Sequence, residues 1–260
     1  MRIDGKVVLI TGASGGIGAA CAAAFRERGA RLALTARSEE GLRRAGGSDA
    51  VIVAGDITQA ATRERVVEAA AGRFGTVDIL VNNAGMGLYA PSWNTPPEQM
   101  RALFELNLFA PIEMIRLVAP LMRARHSGAI VNISSIAGKV TLPWLPLYSA
   151  SKFALSSLTE ALRMELMGDG IQTMNVCPGY VITGFREHAK GQPPPGVERS
   201  GVFRITAREC AAAVVRGLER DARTVVTPRV GWLLVAAMRL FPAFVERRMA
   251  GMLREAGWPA

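Results

Sequence analysis

Short apolar runs rich in β-branched residues alternate with helix-like stretches over residues 1–228, and this rhythm restricts the chain to a narrow set of folds. Residues 6–10, 31–36, 50–54, 78–81, 129–133, 171–176 and 224–227 read as strands, most of them continuously apolar and so buried on both faces. Helix-like patterns follow at 19–28, 60–74, 96–122, 148–167 and 206–221. The alternation predicts an α/β fold: one Rossmann-type, doubly wound parallel sheet of about seven strands in the order 3-2-1-4-5-6-7, with helices on both faces. Right-handed crossovers would gather the loops that follow the strands along the carboxyl edge of that sheet.

The first such loop is Gly12-Ala13-Ser14-Gly15-Gly16-Ile17-Gly18. Glycines permit a tight turn and let backbone amides approach a pyrophosphate, whose charge the N-terminus of the next helix favours. Gly12, Ser14, Gly15, Gly16, Ile17 and Gly18 are therefore candidate dinucleotide contacts. A P-loop is excluded, because no Gly-Lys-Ser/Thr follows. The second strand ends in Ala36-Arg37-Ser38. An acidic residue there would bind the ribose 2′-hydroxyl of NAD, whereas an arginine suits the 2′-phosphate of NADP, so Arg37 predicts NADP(H) over NAD(H). The fourth strand closes on Asn82-Asn83-Ala84-Gly85, small residues past which a cofactor can cross the strand ends.

Tyr148 and Lys152 stand four residues apart at the start of a long helical pattern, hence on one helix face. An ammonium near a phenol favours phenolate and would lower a tyrosine pKa of about 10, giving a group that exchanges protons near neutrality. Ser134-Ser135 ends the fifth strand. Asn107, taken alone, is a polar group inside the 96–122 helix.

Composition narrows the remaining chemistry. Two histidines and three scattered cysteines, Cys21, Cys177 and Cys210, give no metal spacing, no disulfide framework and no histidine triad. The net charge of +9 is concentrated late: residues 186–260 carry 13 basic and 7 acidic side chains. An anionic cofactor or a membrane surface suits that excess, and no nucleic-acid-binding motif accompanies it. Residues 1–6 lack an apolar signal core, which predicts a cytoplasmic start.

In their joint order and separation, Thr11-Gly12-x-x-x-Gly16-x-Gly18, Asp56, Asn82-Asn83-Ala84-Gly85, Asn107, Ser135, Tyr148-x-x-x-Lys152 and Pro178-Gly179 resemble the short-chain dehydrogenase/reductase family over residues 5–228. The resemblance implies that Tyr148 exchanges a proton with a substrate oxygen, that Ser135 hydrogen-bonds the same oxygen, and that Lys152 depresses the tyrosine pKa and binds the nicotinamide ribose. It also implies that Asn107 holds a water in the proton path from Lys152. Asp56 and Ile57 would lie near the adenine, and Asn83, Ala84 and Gly85 beside the adenosine ribose. Pro178, Gly179, Val181 and Thr183 would run along the carboxamide, and residues 184–205 would close over substrate as a lid. A homodimer or homotetramer is usual for the family.

Residues 229–260 extend beyond the common core as a helical C-terminal extension of the same domain, 1–228 forming the catalytic part. Residues 232–238 are apolar, Phe241-Pro242 interrupts, and 245–253 is basic and amphipathic. The segment is too short and broken to span a bilayer. It reads either as a flap over the substrate pocket or a subunit interface, which we prefer, or as a helix in a membrane interface, a peripheral contact through 230–254. With apolar Leu142 to Leu147 leading into Tyr148, the expected activity is an NADP(H)-linked interconversion of a lipophilic ketone and a secondary alcohol. A 3-oxoacyl reductase of lipid synthesis, a non-catalytic dinucleotide-binding regulator and a membrane-surface scaffold are the alternatives.

Overall fold

In the computed structural model, which describes residues 1–193, 201–255 and 257, β1 (Val7–Thr11) is buried along its whole length. It pairs in parallel with β2 (Arg31–Ala36) on one side and β4 (Ile79–Asn82) on the other. The chain runs from β1 through β2 to β3 (Val51–Ala54), then crosses back to β4 and on to β5 (Gly128–Ile133), β6 (Ile171–Pro178) and β7 (Thr224–Thr227). The seven-stranded sheet has the order 3-2-1-4-5-6-7, with every pairing parallel. The direction of winding reverses between β1 and β4, and a doubly wound sheet opens its binding crevice at that point.

Side chains of successive strand residues face opposite sides, so the apolar runs feed two cores. Val8 and Ile10 pack with Cys21, Ala22 and Phe25 of α1 (Gly16–Arg26) and with Val214, Val215 and Leu218 on the same face. Leu9, Leu80 and Ile130 pack on the other face against Val66, Val67 and Ala70 of α3 (Ala60–Phe74) and against Met114 and Val118. Burial of each Val, Leu, Ile, Phe or Met side chain among these is worth about 1.5–3 kcal/mol.

The structure adds elements that the sequence pattern did not reveal. Helix α2 (Glu39–Gly46) follows Ser38, whose hydroxyl accepts from the Gly41 amide at 3.2 Å and caps it. The single helix expected over 96–122 is instead α4 (Pro97–Phe104), a π-helical turn Glu105–Phe109, and α5 (Ala110–Arg123). Helix α6 (Pro146–Leu166) carries Tyr148 and Lys152. The stretch expected to form a lid has regular structure in its described part. A short helix, α7 (Phe185–His188), is followed by Lys190–Gly191, which pairs with Leu88–Tyr89, and Arg204–Thr206 pairs with Tyr180–Ile182. Residues 194–200 of that lid, and Ala256 and 258–260 of the extension, lie outside the described residues. Helix α8 (Ala207–Glu219) begins in a complete capping box between Thr206 and Glu209. The chain then forms a hairpin of α9 (Gly231–Leu240) and α10 (Pro242–Glu255).

Candidate active site

Three glycines in the β1–α1 turn are each required by an observed contact or angle. Gly12 and Gly16 have φ of +66° and +54°. A Cβ on Gly18 would sit 2.3 Å from the Gly12 carbonyl oxygen. Gly15, the N-cap residue, has open space around its Cα. Helix α1 starts inside the glycine stretch, with no side-chain cap and no acidic residue in its first turn. Its leading amides are thus left for an external acceptor, and an anionic one is favoured. That free N-terminus fits a dinucleotide pyrophosphate. Thr183, after β6, lies against Gly16, whose Cβ would be 3.3 Å from the Thr183 methyl. The Thr183 end of the segment that follows β6 therefore closes on the glycine turn. Ser14 abuts Gly41 of α2, which could not carry a Cβ without meeting the Ser14 carbonyl oxygen at 2.7 Å.

Asn83 is committed to holding this turn. Its Nδ2 donates to the carbonyls of Thr11 and Gly12 at 2.9 and 3.1 Å, while the Thr11 hydroxyl accepts from the amides of Asn83 and Ala84 at 3.0 and 3.1 Å. Thr11, not singled out as a site residue from the sequence, is the other half of this clamp. At the far end of the crevice Arg37 is exposed and has no hydrogen bond or ion pair among the described residues. Asp56 accepts from the amide and hydroxyl of Thr58, both at 2.9 Å, forming an Asx turn. Ile57 is packed into the core, and its carbonyl accepts from Arg63.

Tyr148, Lys152, Ser135 and Asn107 converge at the ends of β4 and β5, all of them buried. Lys152 Nζ lies 5.8 Å from the centroid of the Tyr148 ring and donates to the Ile133 carbonyl at 3.0 Å. Ser135 lies against the phenol, and its Oγ accepts from the Ala137 amide at 3.0 Å, capping a 3₁₀ turn. Asn107 is turned inward by the π-helical turn. Its Oδ1 accepts from the Met86 amide, and its Nδ2 donates to the Met86 carbonyl and to Ser151 Oγ, at 2.9, 3.0 and 3.1 Å. Single π turns inside helices mark functional positions more often than chance. A Cβ on Gly85 would be 3.1 Å from Asn107 Oδ1 and 3.5 Å from Lys152 Nζ, so Gly85 borders both. Ser151 hydrogen-bonds Asn107 and donates to the Tyr148 carbonyl at 2.7 Å, a link with no motif to announce it.

The electrostatics differ from the sequence expectation. Burial pushes the Tyr148 phenol up, not down, and the Ser135 hydroxyl pulls it only partly back. Burial also pushes the Lys152 ammonium down to about 8. Spacing alone suggested that the lysine would dominate. In the folded protein desolvation is the largest influence on both groups.

Tyr148 sits in an apolar cluster with Leu88, Tyr89, Leu103, Ala137, Trp144 and Leu145, against which Leu142, Leu147 and Phe185 also pack. Of the Leu142 to Leu147 stretch, Trp144 and Leu145 are thus buried in this cluster and Leu142 and Leu147 pack against it. The Phe185 ring packs tilted against Tyr148, 5.8 Å between centroids and 60° between planes. The extension reaches the same place through Leu253, while Val235, Leu234, Met238 and Met249 cover Ile136, Val140 and Cys177.

A model of the short chain dehydrogenase family matches residues 6–193. A ketoacyl reductase, HetN, from Nostoc sp. (strain PCC 7120) is 33% identical over 94% of this chain and 88% of its own. Among solved structures, a short-chain dehydrogenase/reductase from Burkholderia phymatum in complex with NAD superimposes with a TM-score of 0.83 at 28% identity, covering 95% of this chain and 96% of the other. A 3-ketoacyl-(acyl-carrier-protein) reductase from Brucella melitensis complexed with NADH gives 0.78 at 27% identity, covering 86% and 97%. The chain belongs to the short-chain dehydrogenase/reductase family and is an oxidoreductase of that type, a family that binds nicotinamide dinucleotides.

Proposed function

We propose that the protein reduces a lipophilic ketone to a secondary alcohol with NADPH, Tyr148 acting as the proton donor. The carrying observation is the state of Tyr148. Burial raises its pKa, so at neutral pH the resting phenol holds the proton that a carbonyl oxygen needs. A nicotinamide dinucleotide in the crevice supplies the hydride. Ser135 donates a hydrogen bond to the same oxygen, where charge develops. Tyr148 Oη gives up its proton as the C=O bond becomes C–O–H, and Lys152, poised near neutrality, stabilises the phenolate left behind until it is reprotonated. Asn107 and Gly85 border Lys152 on the side from which that proton would return.

Arg37 supports NADPH over NADH, because an exposed guanidinium with no protein partner at the end of β2 suits a 2′-phosphate. The cluster of Trp144, Leu145, Leu88, Tyr89 and Phe185 supports an apolar substrate. The Nostoc and Brucella relatives favour a second reading, reduction of a 3-oxoacyl chain, which the same walls would accommodate. The test is NADPH oxidation over a panel of ketones graded by size and polarity, including 3-oxoacyl thioesters. Tyr148→Phe should reduce turnover by at least about 100-fold, and Arg37→Asp should shift preference toward NADH. Full activity of the first variant, or unchanged NADPH kinetics in the second, would defeat the respective assignment.

A further inference from the structure

The α9–α10 hairpin packs on the protein with one face only. Inward, Val235 and Val245 are buried, with Leu234, Met238, Met249 and Leu253 beside them. Outward, the hairpin shows Leu233, Leu240, Phe241 and Phe244 at 69, 71, 64 and 71% exposure, with Trp232 and Met252 less so. Leu240, Phe241 and Phe244 cluster at the elbow, where α9 ends and α10 begins. Helix α9 thus has apolar residues on both sides, a composition that is stable only when the outer side is also covered.

The charges around this face are mostly those of arginine. Arg229, Arg239, Arg247, Arg248 and Arg254 are all exposed, and none makes a hydrogen bond or ion pair among the described residues. Elsewhere on the surface Arg43, Arg116, Arg123, Arg163 and Arg223 are each paired with a carboxylate, whereas Arg37, Arg101, Arg208, Arg216 and Arg220 are, like the hairpin arginines, exposed without one among the described residues. Along α10 the outward residues Phe244, Arg247, Arg248 and Met252 follow helical spacing, so the arginines flank the exposed apolar side chains on one face. Only Glu246 and Glu255 carry negative charge within 229–255. No helix among the described residues is long and apolar enough to cross a membrane.

We propose that this outer face seats the protein on an anionic lipid surface, with Leu240, Phe241 and Phe244 entering the acyl boundary and the arginines meeting phosphate headgroups. An apolar face rimmed by arginine is the pattern of helices that lie in the interface plane. A second copy fits less well. A two-fold interface sets a patch against itself, which would oppose like-charged arginines. The two alternatives weighed for this segment therefore apply to its two faces, the inner packed on the domain and the outer turned to lipid.

Flotation of the full-length protein with phosphatidylglycerol-containing vesicles and with pure phosphatidylcholine vesicles tests the proposal without reference to catalysis. Binding is expected to the anionic vesicles and to weaken at high salt. Leu240→Asp/Phe244→Asp should abolish it, and Arg247→Glu/Arg248→Glu should weaken it by about 30-fold or more. Met164→Asp/Met167→Asp, at equally exposed sites on the body of the protein, should leave it unchanged. Failure of the wild-type protein to bind anionic vesicles would overturn the proposal. So would binding that survives Leu240→Asp/Phe244→Asp, or a dimer in sedimentation velocity that this variant dissolves while vesicle binding is absent.

Discussion

Replacing Lys152 by methionine should stabilise the protein at neutral pH while disabling it. Burial holds the ammonium at about 8 against an ordinary 10.5, and each unit corresponds to about 1.4 kcal/mol. Keeping the charged lysine in the folded state therefore costs about 3 kcal/mol at pH 7. Methionine removes that cost and fills similar space, but forfeits the hydrogen bond to the Ile133 carbonyl, worth about 1 kcal/mol. A net gain of about 2 kcal/mol at pH 7 follows. The folded pKa is the depressed one, so the unfolded chain binds more protons between about pH 8 and pH 10.5, and wild-type stability from this group rises with pH across that window. The advantage of Lys152→Met should accordingly shrink to near zero by pH 10. Tyr148, whose phenol is pushed up, stays protonated in the fold throughout this range and disturbs the comparison only above about pH 10. Urea unfolding of both proteins at half-unit intervals from pH 7 to 10, without dinucleotide, measures the difference. A variant less stable than wild type at pH 7, or a difference that does not change with pH, would refute the reasoning.

Two further substitutions probe the frame around the site. Gly138→Ala places a methyl 2.5 Å from Ser134 Oγ, 2.6 Å from the Lys152 carbonyl oxygen and 2.7 Å from Ser156 Oγ. It should cost about 3 kcal/mol, a drop in Tm of about 10 °C, readable by differential scanning fluorimetry. Gly191→Ala meets both a φ of +74° and the Tyr89 carbonyl oxygen at 2.0 Å. It should break the Leu88–Tyr89 pairing with Lys190–Gly191 and raise KM several-fold, with dinucleotide affinity by fluorescence titration unchanged; a change in dinucleotide affinity alone would place this strand pair elsewhere in the mechanism.

What could be read from the sequence were features fixed locally. The strand order followed from apolar runs, helix alternation and crossover handedness. The requirement for Gly12, Gly16 and Gly18 followed from turn geometry, which a missing Cβ expresses directly. Features set by tertiary context could not be read. The π turn that aims Asn107 inward leaves no compositional mark in Glu105–Phe109, which reads as ordinary helix. Leu88, Tyr89, Phe185 and Leu253 join Trp144 around Tyr148 from separate parts of the chain, and no spacing rule connects them. The sign of the Tyr148 shift was missed for the same reason: i, i+4 spacing gives the distance to a charge, but desolvation depends on everything packed around it.

That desolvation explains why α6 is fixed to the sheet by polar bonds as well as apolar packing. An apolar helix–sheet interface tolerates small slides, whereas the proposed proton transfer needs Tyr148 Oη within hydrogen-bond reach of one oxygen. Directional bonds resist the slide. Ser134 Oγ bonds the Lys152 carbonyl and Ser156 Oγ at 3.0 and 2.9 Å. One turn further on, Asn132 donates to Thr159 Oγ1 at 2.9 Å, and Asn132 itself accepts from Asn82 on the neighbouring strand. Lys139 pairs with Glu160 at 2.6 Å. These bonds fix α6 along its axis against β4 and β5, the strands whose ends carry Gly85 and Ser135. Ser134 therefore holds the helix that carries Tyr148, while Ser135 beside it faces the phenol.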